Sequence, residues 1–161
     1  MALSTVVAVG DQTGDRFIEA MSDELGKLNV GISTDPSADY GPVVTAAHKQ
    51  RINDYIQMGV DEGAELVVDG REFALQGYEN GFYVGPTLFD RVKPTMRSYQ
   101  DEIFGPVLQV LREDTFESAL ELPSKHQYGN GVAIFTRSGG AAREFAPVSY
   151  THLTLPTTDR V

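Results

Sequence analysis

The stretch Glu102-Ile103-Phe104-Gly105-Pro106-Val107 runs directly into the apolar segment Leu108-Gln109-Val110-Leu111. A short, mostly apolar run of this kind is typical of a buried strand, and the Gly-Pro pair interrupts the backbone pattern just before it. Glu102 and Phe104 are therefore predicted to lie on a defined loop where that strand begins. Loops at strand ends often carry ligand contacts in α/β enzymes. These two residues are the first candidates for a functional site.

Apolar strands alternate with amphipathic helices over most of the chain. The pattern predicts strands at 5–9, 66–68 and 131–135, and an extended aromatic segment at 81–89 that Gly85-Pro86 interrupts. It predicts helices at 14–28, from a Thr45 cap to about Gly63, from a capping box at 114–117 towards Leu122, and from Gly139 onward. This alternation favours an α/β fold, with a mostly parallel sheet flanked by helices.

Composition limits the classes of function. The 161 residues, 41% of them hydrophobic, are enough to bury one core, so we expect one domain or a piece of one. A formal net charge of -10 argues against nonspecific nucleic-acid binding and against an anionic membrane surface. No apolar run is long enough to cross a bilayer and the start lacks a signal-peptide pattern, so a cytoplasmic location is the default prediction.

Recognisable catalytic motifs are scarce. The chain has no cysteine, hence no disulfide, no thiolate metal site and no thiol nucleophile. It has no phosphate-binding glycine loop and no nucleophile elbow. His48, His126 and His152 lie far apart without ligand spacing, so we expect surface or capping roles for them and no metal site. Glu102 by itself would be interpreted as a surface or structural acid.

Family resemblance changes that interpretation of Glu102. The hexapeptide that begins at Glu102 resembles the signature of the aldehyde dehydrogenase superfamily. Several other segments resemble the family's elements in the expected order and spacing. They are Tyr40-Gly41-Pro42-Val43 followed by His48 and Arg51-Ile52, Gly81-Phe82-Tyr83 with Pro86-Thr87-Leu88, and Tyr128-Gly129 with the segment that ends at Phe135-Thr136. Residues 1–146 are thereby identified as a fragment of the family's catalytic domain. Residues 147–161 match nothing in it, and we interpret them as a foreign tail, artefactual or disordered.

The resemblance implies a cofactor site and a reaction. In the family, the acid at Glu102 hydrogen-bonds the ribose on the nicotinamide side of NAD, and the aromatic at Phe104 lies against the same end of the cofactor. The run Tyr128-Gly129-Asn130-Gly131-Val132 and the following Ala133-Ile134-Phe135-Thr136-Arg137 resemble the CoA-acylating, methylmalonate-semialdehyde branch. That branch oxidises methylmalonate or malonate semialdehyde through a cysteine thioester, passes hydride to NAD and transfers the acyl group to CoA. The resemblance also implies a homo-oligomeric parent, a dimer or a tetramer, that acts on a small aldehyde.

One departure from the family pattern affects catalysis. The family's nucleophilic cysteine would directly precede Met1 and is absent, so no residue of this chain is assigned a catalytic role and we expect the chain alone to be inactive. Two alternatives remain open at this point. The parent could be another, non-acylating semialdehyde or aldehyde dehydrogenase, or the chain could be a non-catalytic module that binds a partner or a full-length paralogue.

Overall fold

Four strands form one sheet in the computed structural model, which describes residues 3–128 and 131–148. The strands are β1 (Thr5–Val9), β2 (Glu65–Val68), β3 (Thr87–Asp90) and β4 (Val107–Glu113), and their spatial order is β1-β4-β3-β2. The central β4 pairs in parallel with both β1 and β3, whereas the edge strand β2 is antiparallel to β3. The prediction of a mostly parallel sheet with flanking helices is therefore confirmed.

The described residues form five helices: α1 (Asp11–Leu25), α2 (Ala46–Asp61), α3 (Arg97–Gln100), α4 (Phe116–Lys125) and α5 (Gly139–Val148). The chain divides into two compact units, Met1–Glu113 and Asp114–Val161. All four strands and the first three helices belong to the first unit. The second unit contains α4 and α5.

Side chains alternate between the two faces of the sheet along each strand, and a different helix packs against each face. On one face, Ala8, Leu88 and Val110 form a buried cluster, against which α1 packs Phe17, Ile18, Met21 and Leu25. The neighbouring residue Phe89 points to the opposite face, towards α2. There Gly59 allows close approach, since a Cβ at that position would lie 3.0 Å from the Phe89 ring. Ile52 and Ile56 of α2 are fully buried.

Helix α1 begins earlier than its apolar spacing predicts, at Asp11 instead of Gly14. Gly10 adopts a left-handed φ of 83°, and its carbonyl accepts hydrogen bonds from the amides of Thr13 and Gly14. The first turn is polar, so it carries no hydrophobic periodicity from which its start could be predicted. The helix ends at Leu25, three residues before the predicted end. The Thr45 cap of α2 is present, with its hydroxyl oxygen accepting from the His48 amide.

The second unit departs from two predictions. The cap of α4 is Thr115, whose hydroxyl accepts from the Ser118 amide, so the predicted capping box at Asp114 is displaced by one residue. The predicted strand at 131–135 is wrong, because residues 131–136 form no strand and Phe135 is 87% exposed. A β-branched and aromatic run becomes a strand only where backbone partners complete its hydrogen bonds, and no described residue pairs with this segment.

The predicted foreign tail, 147–161, lies largely outside the described residues. Helix α5 continues to Val148, two residues into that segment. Its interpretation as foreign sequence stays a prediction.

Alkaline pH is expected to destabilise the first unit through Tyr40. Its hydroxyl donates to the Val84 carbonyl at 3.1 Å, and burial raises the pKa of Tyr40 to about 12. A raised pKa means that the stabilisation is complete below the unfolded pKa of about 10 and is lost as pH rises through about 12. Tyr40→Phe should therefore cost about 0.5–1.5 kcal/mol near neutral pH and reduce the decline at high pH. Urea midpoints across this range measure both effects, with the exposed Tyr78→Phe as control. An equally steep alkaline decline in Tyr40→Phe would contradict the assignment.

Candidate functional site

The segment 101–106 connects α3 to β4 and lies where the parallel strands begin. Its backbone is joined to the start of the sheet, because the Pro106 carbonyl accepts from the Thr87 amide at 2.8 Å. Ile103 is buried, with 7% of its surface exposed, and anchors the loop. Glu102 and Phe104, on either side of it, are exposed, Phe104 to 71%. The loop thus presents one carboxylate and one aromatic ring to the outside.

Phe104 has an uncommon backbone conformation. Its φ of 56° lies in the left-handed region, which costs a residue with a Cβ about 1–2 kcal/mol. Such strain persists only where surrounding contacts impose it, and it is concentrated at functional sites. The left-handed conformation of an exposed aromatic residue therefore marks this loop as a candidate site.

Two side chains of α2 hydrogen-bond the backbone of the loop. Nε2 of His48 lies 2.7 Å from the Phe104 carbonyl oxygen, and Nη2 of Arg51 donates to the Glu102 carbonyl at 2.9 Å. A carbonyl oxygen only accepts hydrogen bonds, so Nε2 of His48 carries the hydrogen in this contact.

Further contacts from the same face of α2 lie next to and beneath the loop. Tyr55 donates its hydroxyl to Asp101 at 2.9 Å, and the Arg51 guanidinium lies 5.3 Å from the centre of the Tyr55 ring. Ile52 packs under Gly105, where a Cβ would come within 2.7 Å of the Ile52 side chain. Any larger residue at position 105 would displace either the loop or Ile52.

The carboxylate of Glu102 is open to a ligand. No residue in the described part of the chain hydrogen-bonds it, and the side chain is exposed. An open carboxylate accepts hydrogen bonds from sugar hydroxyls, and an exposed aromatic ring offers a flat apolar surface. The two residues therefore fit one end of a nucleotide cofactor in chemical type. Their role as NAD contacts stays a prediction.

His48 and Arg51 are the site residues whose contacts the sequence did not reveal. The sequence predicts a surface or capping role for His48, and it places Arg51 only within a family-like segment. A usable signal was present, because positions 48, 51, 52 and 55 follow the i, i+3, i+4, i+7 spacing of one helix face. The spacing does not predict which segment this helix face contacts, because that segment is a loop more than 50 residues further along the chain.

A second polar cluster lies at the opposite end of the parallel strands from the loop 101–106, where β3 and β4 end. Arg112 of β4 makes two hydrogen bonds to Asp90 of β3, at 2.6 and 3.0 Å, and also pairs with Asp11 and Asp15 of α1. The carboxylate of Asp90 is the main cause that raises the pKa of Arg112. The cluster joins two strands to one helix, and we assign it a structural role.

Other kinds of site find no support in the described residues. Residues 3–128 and 131–148 contain no group of three or more His, Cys, Asp or Glu side chains placed to hold a metal ion. No helix within those ranges is long and apolar enough to cross a membrane. A shallow, open pocket lies between residues 29–35 and 75–78, and neither Glu102 nor Phe104 lines it.

The mostly parallel sheet, with a strained loop that presents an acid and an aromatic ring before the inner strand β4, places this chain in the α/β class of folds. The model of the aldehyde dehydrogenase family matches residues 1–149, and the chain belongs to that family. The chain is 50% identical over 145 residues to malonate-semialdehyde dehydrogenase of Pseudomonas aeruginosa. The aligned region covers 90% of this chain and 29% of that protein. It is 47% identical over 147 residues to the acylating, mitochondrial methylmalonate-semialdehyde dehydrogenase of Arabidopsis thaliana, covering 90% and 24%.

A solved structure agrees with these sequence relatives. A protein of Sinorhizobium meliloti 1021, complexed with NAD, superposes on this chain with a TM-score of 0.88 at 54% sequence identity. The superposed region covers 91% of this chain and 30% of that protein. This chain thus spans less than a third of the length of each of these relatives. The prediction of a catalytic-domain fragment related to methylmalonate-semialdehyde dehydrogenases is confirmed.

Proposed function

We propose that this chain is part of an NAD-dependent, CoA-acylating dehydrogenase that oxidises methylmalonate semialdehyde or malonate semialdehyde. Identity of about half the residues to proteins named for these two substrates supports the proposal, as does a close structural neighbour that binds NAD. The single observation in this chain that carries it is the loop 101–106, with its exposed acid and its exposed, strained aromatic residue.

Glu102 and Phe104 are the proposed cofactor-binding residues. Glu102 accepts hydrogen bonds from the ribose hydroxyls at the nicotinamide end, and this contact sets the distance and orientation of the reactive ring. Phe104 covers the same end of the cofactor and excludes water from it. When bound, NAD supplies the hydride acceptor for aldehyde oxidation. These roles require both side chains to project outward from a fixed backbone. Both side chains are exposed here, and the backbone of the loop is hydrogen-bonded to α2.

CoA acylation is the finer part of the proposal, and the word "acylating" in the name of the Arabidopsis relative supports it. A non-acylating semialdehyde dehydrogenase would release the free acid and would not need CoA. Comparing the rate of NADH formation with and without CoA, and identifying the product as thioester or acid, separates the two reactions.

A homo-oligomeric parent, with no nucleic-acid or membrane partner, and a cytoplasmic location also stay predictions.

Glu102→Gln is expected to impair NAD use in a full-length dehydrogenase that contains this sequence. The amide keeps the shape of the side chain but removes a charge-assisted hydrogen bond of about 1.5–3 kcal/mol, so kcat/KM for NAD should fall roughly 10- to 150-fold. Steady-state kinetics with varied NAD give this ratio, and urea midpoints should change little. Glu72→Gln, at another exposed acid, serves as the matched control. If both variants keep full activity, Glu102 does not bind the cofactor.

A further inference from the structure

We infer that His48 and Arg51 are positioning residues, which hold the loop 101–106 so that Glu102 and Phe104 face the cofactor. The inference rests on the proposed function for its catalytic consequence, although the contacts themselves do not. His48 and Arg51 hydrogen-bond the carbonyls of the two exposed loop residues, and no hydrogen bond from α2 to the carbonyl of Ile103 between them is seen in the described residues. Each bond fixes the peptide group that follows a proposed cofactor contact.

The bond from His48 explains how a phenylalanine stays in a left-handed conformation. Phe104 has no side-chain preference for a φ of 56°, and the exposed ring makes few contacts that could impose it. The carbonyl of Phe104 is held by Nε2 of His48 at 2.7 Å, while the next residue, Gly105, rests on Ile52. The backbone on the C-terminal side of Phe104 is therefore fixed from α2, independently of the phenyl ring.

Arg51 acts on Glu102 in the same way. Its guanidinium donates to the Glu102 carbonyl and also lies over the Tyr55 ring, which restricts the long side chain to one orientation. Tyr55 in turn holds Asp101, the residue before Glu102. The carboxylate of Glu102 is left out of all these contacts. Because α2 binds Glu102 and Phe104 only through their backbone carbonyls, the side chains of these two residues remain available to a ligand.

Kinetics of the full-length dehydrogenase separate positioning from mere stability. We expect His48→Ala to raise KM for NAD about tenfold with kcat changed less than threefold, since it removes one backbone hydrogen bond without touching the reacting atoms. His48→Gln, which can donate from its side-chain amide, should return KM to within about threefold of the parent. Lys49→Met, on a different face of the same helix turn, should change neither constant. Where Glu102→Gln does impair NAD use, an unchanged KM in His48→Ala, or a failure of Gln to restore it, would overturn the inference.

Amide NMR of the 161-residue chain tests the contacts without any turnover. The amides of Ile103 and Gly105 share peptide groups with the two bonded carbonyls, so Arg51→Met should shift the first and His48→Ala the second, whereas Lys49→Met shifts neither. If these shifts are absent, the two side chains do not hold the loop and the inference is wrong. If they are present while Glu102→Gln leaves NAD kinetics unaltered, the positioning contacts stand and the proposed cofactor role fails.

Discussion

Asp90→Ala is expected to lower the free energy of unfolding by about 3–5 kcal/mol, the usual result of removing one partner of a buried ion pair. Asp90 is 3% exposed, and the side chain of its partner Arg112 is 10% exposed. The loss would remove both hydrogen bonds of Arg112 to its buried partner and leave its guanidinium paired, among the described residues, only with the exposed side chains of Asp11 and Asp15. It would also remove the acceptor for the Arg91 amide, which Asp90 binds at 2.7 Å. Urea unfolding followed by circular dichroism measures the change.

Asp15→Ala is the matched control for this prediction. Asp15 also contacts Arg112, at 2.6 Å, but its side chain is 66% exposed. Exposed ion pairs contribute less than about 1 kcal/mol, so the control should cost far less than the loss of Asp90. Replacing the pair together, as Asp90→Leu with Arg112→Leu, should recover part of the stability, because no buried charge is left unpaired. Equal losses for Asp90→Ala and Asp15→Ala would contradict a buried structural role for the pair.

The parts of the fold that follow local rules could be predicted from the sequence. The apolar run after Gly105-Pro106 is the central strand β4, and Thr45 caps α2, because a buried strand and a helix cap each depend on a few adjacent residues. Segment 131–135 has the same strand-like composition and forms no strand. Its composition gives β propensity but cannot supply the hydrogen-bonding partner that a strand requires.

Of the candidate site, only the residues with outward-facing side chains could be predicted from the sequence. Glu102 and Phe104 follow from a short motif and a family resemblance. The contacts that fix them join positions 56 and 51 residues apart and end on carbonyl oxygens, which every residue type carries. No pattern of side chains encodes a partner of that kind. The left-handed φ of Phe104 could not be predicted from the sequence either, because Asn and Gly are the residues typical of such positions and Phe is not.

The purified 161-residue chain is expected to form no NADH from methylmalonate semialdehyde, NAD and CoA. It contains no cysteine, and thioester formation requires a thiolate to attack the aldehyde carbon and later to leave as CoA enters. Serine and threonine hydroxyls are not ionised near neutral pH, and they are weak nucleophiles unless an adjacent base activates them. NADH fluorescence, compared with that of a full-length dehydrogenase containing this sequence, is the measurement. Because a fragment can fail to turn over simply by unfolding, circular dichroism of the same sample serves as the control. Turnover above the no-protein background would show that another group serves as nucleophile, and the proposed thioester chemistry would then be wrong for this chain.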